Sequence, residues 1–342
     1  MGVKYRFRYG PSFYKDNTNF TLWCNLYPAA PRVVDSARLF ARGYMGPNAT
    51  TLGNVYAINS SDPRSVANSL APSDICPLYV DSGGSPEIDT WQNIYLPPIQ
   101  KRLNSQIQGG FQFTTTDISI IPYLCGFETQ ITGSRSPYCD IFSEDEILQY
   151  EYAQDLRYWY GTGLGTGIEK SMMLPVLKGL IQRFVDSPNA TYLNSDGTTF
   201  APNTLIAGFT NDGQINQLAA EIGVFDNQAQ LPATYVPQDR LFKASNFVTM
   251  RGTISFERLN CASGKFIRIR LNDVVYPVAS CQSGPGRSCP LQQYLQLVEQ
   301  KLQAAKDFQT ICNITSGVVP VGQEKTTFWT DVRLPYEILY KP

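Results

Sequence analysis

The sequence predicts an α/β fold: an open Rossmann-type sheet with an inserted α-helical cap and C-terminal antiparallel edge strands. Three observations predict it. The stretch TLIAGFTNDGQINQLAAEI, 204–222, reads as strand, tight turn and helix. The stretch FTLWCNLY, 20–27, reads as a buried strand, and PRVVDSARLFARGY, 31–44, follows as a helix. Between these two α/β parts, from about 87 to 185, the pattern is mostly helical. The boundaries are drawn at 1–70 and 190–342 for the α/β domain and 71–189 for the cap.

Each element has its own reason. In 31–44, Val34, Ala37, Phe40 and Ala41 share one helical face. Residues 52–58 look like a second strand. Ser143 and Glu146 form a capping box, serine at the N-cap and glutamate three residues on, so a helix opens there and runs through ILQYEYAQDLRYWY. A glycine cluster stops it, and another helix is expected over roughly Ser171 to Val185. In 204–222 the apolar run Thr204 to Phe209 ends at Asn211-Asp212-Gly213. Ile215, Leu218, Ala219 and Ile222 then line a helix face. TISFERL and KFIRIRL flank turn residues Asn260 to Gly264, and DVVYPV follows a second turn, giving an antiparallel meander. Pro290 to Lys306 reads as an amphipathic helix.

Composition removes whole classes of chemistry. The 342 residues contain no histidine. Ser-His-Asp and Cys-His catalysis, histidine general bases and histidine-ligated metals are therefore excluded within them. The net charge of −1 makes no case for nucleic acid or an anionic membrane. No apolar run reaches the length of a transmembrane helix. The eight cysteines include no C-x-x-C pair, which argues against a cysteine-rich zinc site. Five N-x-[ST] sequons, at Asn19, Asn48, Asn59, Asn189 and Asn313, occur with these scattered cysteines. Together they predict a secreted or wall-associated, glycosylated, disulfide-bonded protein. The start, MGVKYRFRYG, lacks the apolar core of a signal peptide. Either a signal was removed with other sequence, or the chain begins inside a longer ancestor.

Candidate functional residues sit where open α/β sheets hold ligands, at the C-terminal ends of strands. Arg32 lies between a strand end and a helix start, and its guanidinium fork suits phosphate or carboxylate. The plainer reading is a surface arginine. Asp212 is a candidate proton donor, or simply the N-cap of its helix. Gly161, Gly163, Gly165 and Gly167 form GTGLGTG, which follows a helix and lacks the Lys-Ser/Thr ending of a phosphate loop. A helix stop is the better reading. Glu151 and Asp155 sit four apart on one helix. Glycoside hydrolysis needs two carboxylates flanking the bond, so this pair is read as a solvated face and a glycosidase is the unfavoured alternative. The aromatics of that helix, Tyr150, Tyr152, Tyr158, Trp159 and Tyr160, are read as core.

Taken in order, six stretches resemble the secreted histidine acid phosphatases of fungi, the group of yeast acid phosphatases and phytases. They are PRVVDSARLFARGY, ANSLAPSDICP, the 124–163 stretch LCGFETQITGSRSPYCDIFSEDEILQYEYAQDLRYWYGTG, FTNDGQINQLAAEIGVF, MRGTISFERLNC and CQSGPGRSCPL. The resemblance implies a histidine-phosphatase-like fold and a phosphate or phosphomonoester ligand, with no cofactor and no metal; it leaves an oligomer open. In that family a histidine in an Arg-His-Gly-x-Arg-x-Pro signature attacks phosphorus, arginines hold the phosphate, and the aspartate of a His-Asp motif protonates the leaving alcohol. The resemblance places Arg32 at a phosphate-binding arginine and Asp212 at the acid, with Asn211 where the family has its second histidine. The nucleophile signature has no counterpart, so the expectation is a catalytically impaired relative with a residual phosphate cleft. An active acid phosphomonoesterase remains the alternative if further sequence supplies that signature. A missing first strand would also leave a sheet edge uncovered. The family's disulfides imply Cys125 with Cys139, Cys281 with Cys289 and Cys76 with Cys312. Cys261 pairs upstream in the family, and Cys24 has no family role; the two are left paired together or free.

Overall fold

The computed structural model describes residues 1–10, 13, 18–26, 31–81, 83–165, 167, 171–315 and 326–342. Its centre is a four-stranded sheet. Strands β1 (Phe20–Leu26) and β2 (Gly53–Asn59) run parallel, in register from Phe20 opposite Gly53 to Leu26 opposite Asn59. β1 (FTLWCNL) is buried on both faces, its polar Thr21 and Asn25 included. Helices α1 (Gly2–Tyr9), α2 (Pro31–Met45) and the single turn α3 (Ala49–Leu52) pack on one face. Leu22 and Cys24 of β1 meet Val34, Ala37, Phe40, Ala41 and Tyr44 of α2 there. Trp23, Tyr56 and Ile58 point the other way, into a larger core.

That larger core reaches the helical segment: α4 (Ser85–Asn104), α5 (Thr115–Thr132), α6 (Glu144–Thr162) and α7 (Leu174–Val185). Trp91, Tyr95, Tyr152, Leu156 and Trp159 are its main contributors from α4 and α6. The box that opens α6 is present in both directions: Glu146 N–H donates to Ser143 Oγ and Ser143 N–H to a Glu146 carboxylate oxygen. Glu146 also receives Arg102 of α4 at 2.6 Å, so the cap of one helix fixes its neighbour. The short pair β3 (Tyr192–Leu193) and β4 (Thr199–Phe200) follows.

Strand β5 (Gly208–Phe209) joins the other side of β1 in parallel and leads into α8 (Asp212–Glu221). The strand expected over Thr204–Phe209 is thus shortened to its last two residues. Leu205 and Ala207 are partly buried against the α2-side core without being strand residues, so the apolar run records burial more than pairing. β5 is the terminal strand on that side of the sheet among the described residues.

The meander forms its own sheet, from β6 (Ile254–Cys261), β7 (Gly264–Leu271), β8 (Val274–Val275) and β9 (Cys289–Pro290). Helix α9 (Leu291–Ala304) buries Leu291, Tyr294 and Val298, and α10 (Phe308–Cys312) follows. The antiparallel edge strand of the central sheet comes from the C-terminal residues, β10 (Glu337–Tyr340) beside β2. Sheet order is β10-β2-β1-β5.

The N-terminal stretch is a helix that docks on α2 through glycines. A Cβ on Gly2 would lie 2.2 Å from Phe40 O, and one on Gly43 would lie 3.1 Å from Val3 N. Its other side ties to the hairpin, with Tyr9 donating to Glu257 at 2.6 Å and Arg8 to Asp273 at 2.6 Å. Disulfides join Cys76 to Cys312, Cys125 to Cys139 and Cys281 to Cys289. Cys24 and Cys261 are both free. Burial pushes the Cys24 thiol up to about 12, which keeps it unreactive.

Candidate functional site

Two parallel neighbours, β1 and β5, point their C-terminal ends the same way, with Phe209 of β5 opposite Cys24 and β1 running two residues further. The turn after β5 holds Thr210, Asn211 and Asp212. Thr210 Oγ1 donates to Leu70 O at 2.8 Å, and Gln214 Nε2 to Ser73 Oγ at 2.7 Å. The 68–76 segment is therefore stitched beneath the turn. Across from it, α2 begins at Pro31, which places Arg32 in the first helical turn.

Arg32 and Asn211 meet: the guanidinium donates to Asn211 Oδ1 at 3.2 Å. Asn211, not Asp212, is the N-cap of α8, in an extended conformation, and its side chain makes no capping bond. Its oxygen faces Arg32 instead. The first-turn N–H groups of α8 thus lack the side-chain acceptor that an N-cap ordinarily supplies, and the positive end of the helix dipole lies beside a guanidinium. That combination suits a tetrahedral oxyanion.

Asp212 is the first residue of α8 and is exposed. It accepts a 2.6 Å bond from Tyr158 of α6 at Oδ2. Burial, then this bond, raises the Tyr158 phenol above its ordinary pKa. The Tyr158 ring lies 5.3 Å below the Arg157 guanidinium. Tyr158 was expected in the core; its polar end instead reaches the site. No local spacing signals this, because the two residues are 54 apart in sequence. Asn25, at the end of β1, also escaped the sequence reading. It is 0 % exposed, and neither amide atom has a partner among the described residues.

The other candidates resolve differently. The pair Glu151 and Asp155 is not a solvated face. Asp155 is fully buried and receives Arg240 Nε at 2.7 Å and Ala244 N–H at 2.7 Å, while Glu151 takes the other side of Arg240 at 2.9 Å. Both carboxylates are engaged by one guanidinium, so they staple α6 to the 237–245 segment and leave a glycosidase without a pair. The glycine run ends α6, and a Cβ on Gly165 would fall 2.4 Å from the Trp159 ring. That glycine is there for packing. Sequon residues Asn19, Asn189 and Asn313 are exposed, whereas Asn48 and Asn59 are half-buried. Asn59 lies in β2, and its Oδ1 accepts Ser61 N–H at 3.1 Å.

Among the described residues, no group of three or more histidine, cysteine, aspartate or glutamate side chains converges as a metal site. No described helix is long and apolar enough to cross a membrane.

The sequence profile of the histidine phosphatase superfamily (branch 2) matches residues 1–272. The chain is 27% identical over 336 residues to the phytase PHO112 of Candida albicans, covering 98% of this chain and 68% of that one. It is 31% identical over 307 residues to the acid phosphatase PHO1 of Komagataella pastoris, covering 88% and 62%. It is 29% identical over 299 residues to the repressible acid phosphatase of Saccharomyces cerevisiae, covering 87% and 60%. The crystal structure of the phytase from D. castellii superposes with a TM-score of 0.80 at 25% identity, over 96% of this chain and 66% of that one. The chain thus spans between 60% and 68% of the length of these relatives.

Proposed function

Because the chain belongs to the histidine phosphatase superfamily, branch 2, we propose that the cleft between α2 and α8 binds a phosphate group and that these residues alone do not turn it over. The observation that carries this reading is the Arg32–Asn211 contact at the positive end of α8. The guanidinium bonds the N-cap residue of α8, whose first-turn N–H groups have no side-chain cap, and Asp212 is the next residue. Asn211 contributes neutral amide chemistry where a charged donor would form bonds roughly twice as strong. A phosphohistidine cannot form within a chain that holds no histidine. By analogy with removal of a triad nucleophile, such a loss costs on the order of 10⁶ in kcat.

The second reading is an active acid phosphomonoesterase. It is supported by the contact of Arg32 with Asn211, the residue before Asp212, and by relatives named as acid phosphatases and phytases. A histidine nucleophile would then come from sequence other than these residues. In either case the helices of 71–189 serve as a cap over the site. The three disulfides and the exposed sequons Asn19, Asn189 and Asn313 support secretion with glycosylation there.

The test is a p-nitrophenyl phosphate assay at acid pH on chain first shown to be folded, paired with calorimetry of inorganic phosphate binding. Binding without turnover is expected. Turnover above background that disappears in Asp212→Asn means that a route without histidine exists, and the first reading fails.

A further inference from the structure

Resting on that reading, we propose that Tyr158 is a positioning residue: it holds the Asp212 carboxylate by one oxygen, so that the other stays directed to the phosphate cleft. An aspartate at the first position of a helix is otherwise held only by its rotamer preferences. Here its Oδ2 is taken by the Tyr158 hydroxyl at 2.6 Å. Tyr158 is itself fixed from the same helix. Asn216, one turn after Asp212 on α8, donates through Nδ2 to the Tyr158 carbonyl at 2.6 Å and to Thr162 Oγ1 at 2.8 Å. Two residues of α8, spaced by one turn, therefore grip one residue of α6 from opposite ends.

The clamp has a chemical direction. A phenol hydroxyl donates and the carboxylate accepts. The phenol keeps its proton across the working range, because burial and the neighbouring carboxylate both oppose its ionisation. Arg157, 5.3 Å from the ring centre, adds a positive charge near the carboxylate. Like charges repel, so a carboxylate stripped of this donor would present its full charge to a bound phosphate. The Tyr158 hydroxyl takes up part of that charge and fixes where the carboxylate lies. Tyr158 thus acts through Asp212 and needs no contact with the ligand.

The test is a double-mutant cycle on the affinity for inorganic phosphate, using Tyr158→Phe and Asp212→Ala in the full chain. Tyr158→Phe alone is expected to weaken phosphate binding about 3- to 10-fold. In the Asp212→Ala background it is expected to change nothing, since its partner is gone. An equal loss in both backgrounds means that Tyr158 acts by folding the cleft, and overturns the proposal. A wild-type chain that binds no phosphate instead overturns the phosphate reading. In that event a second readout decides the role of Tyr158. Its ¹³Cζ resonance, identified by its absence in Tyr158→Phe, must move in Asp212→Ala; a resonance that stays in place overturns the clamp.

Discussion

Arg32 and Asn211, 179 residues apart in sequence, meet at 3.2 Å where two strands of the central sheet end. The bond is long and exposed, so it orients the guanidinium without burying it. An anion entering the site meets the remaining N–H groups of the same fork. Arg32→Ala is expected to lower phosphate affinity about 10- to 100-fold, the span of a hydrogen bond to a charged group. Calorimetry at low salt reads this directly, and an unchanged affinity places the anion elsewhere.

Asn211→His tests the neutral partner. A histidine there adds a charge-assisted donor only when protonated. Phosphate affinity is expected to rise about 3- to 10-fold at pH 5 and to match the wild type at pH 8. A gain that is the same at both pH values contradicts the electrostatic account.

Stability is expected to peak in mild acid. Burial pushes the Asp74 carboxyl up to about 6. Burial and then Asp331, opposed by Arg333, push Glu337 up to about 9. Fully buried Glu221 is raised as well, by burial, despite the Met173 N–H and Lys301. Each keeps its proton in the fold at a pH where the unfolded chain has released it. The native state then binds more protons, and stability falls as pH rises. The contribution is complete below about pH 4 and is lost through about 6 for Asp74 and about 9 for Glu337. At the other end, the Lys4 and Arg8 bonds hold Asp273 near about 2, a contribution present at neutral pH and lost as pH falls toward 2. That group is half-exposed, so its share is small. Calorimetric Tm should decline from pH 5 to pH 9, and Glu337→Gln should flatten the decline above pH 6.5. A variant with the wild-type slope removes Glu337 from the account.

Asn25 makes the opposite kind of prediction. A buried amide without a partner costs about 1 to 3 kcal/mol in protein cores. Asn25→Leu is close in size and removes the unmatched atoms. It is expected to raise stability by about 1 to 2 kcal/mol, read by urea unfolding. A loss of stability instead means that an ordered water or ligand satisfies the amide.

Much of this molecule was legible in its sequence because the signals were local. The α2 face, the capping box of α6 and the strand–turn–helix before α8 all depend on spacing within a turn or two. What stayed hidden depends on partners far along the chain. Asp155 looked like half of a solvated pair because Arg240, 85 residues away, could not be foreseen. The β10 strand is four residues with no distinguishing alternation, and its partner β2 lies far back in the chain. Arg32, Asn211 and Asp212 stand out in the sequence at strand ends, with their roles implied by the family resemblance, and the structure places Arg32 against Asn211. Tyr158 was hidden among five aromatics of one helix.

The bond between Cys76 and Cys312 closes a ring of chain that contains helices α4 to α9 and the hairpin sheet. A protease that cuts any loop within that ring severs a backbone without releasing a fragment. The nicked molecule would migrate at full mass until a reductant opened it, and its two pieces would stay in place to be gripped by the same core. Damage to the surface of this protein is thereby separated from loss of its parts.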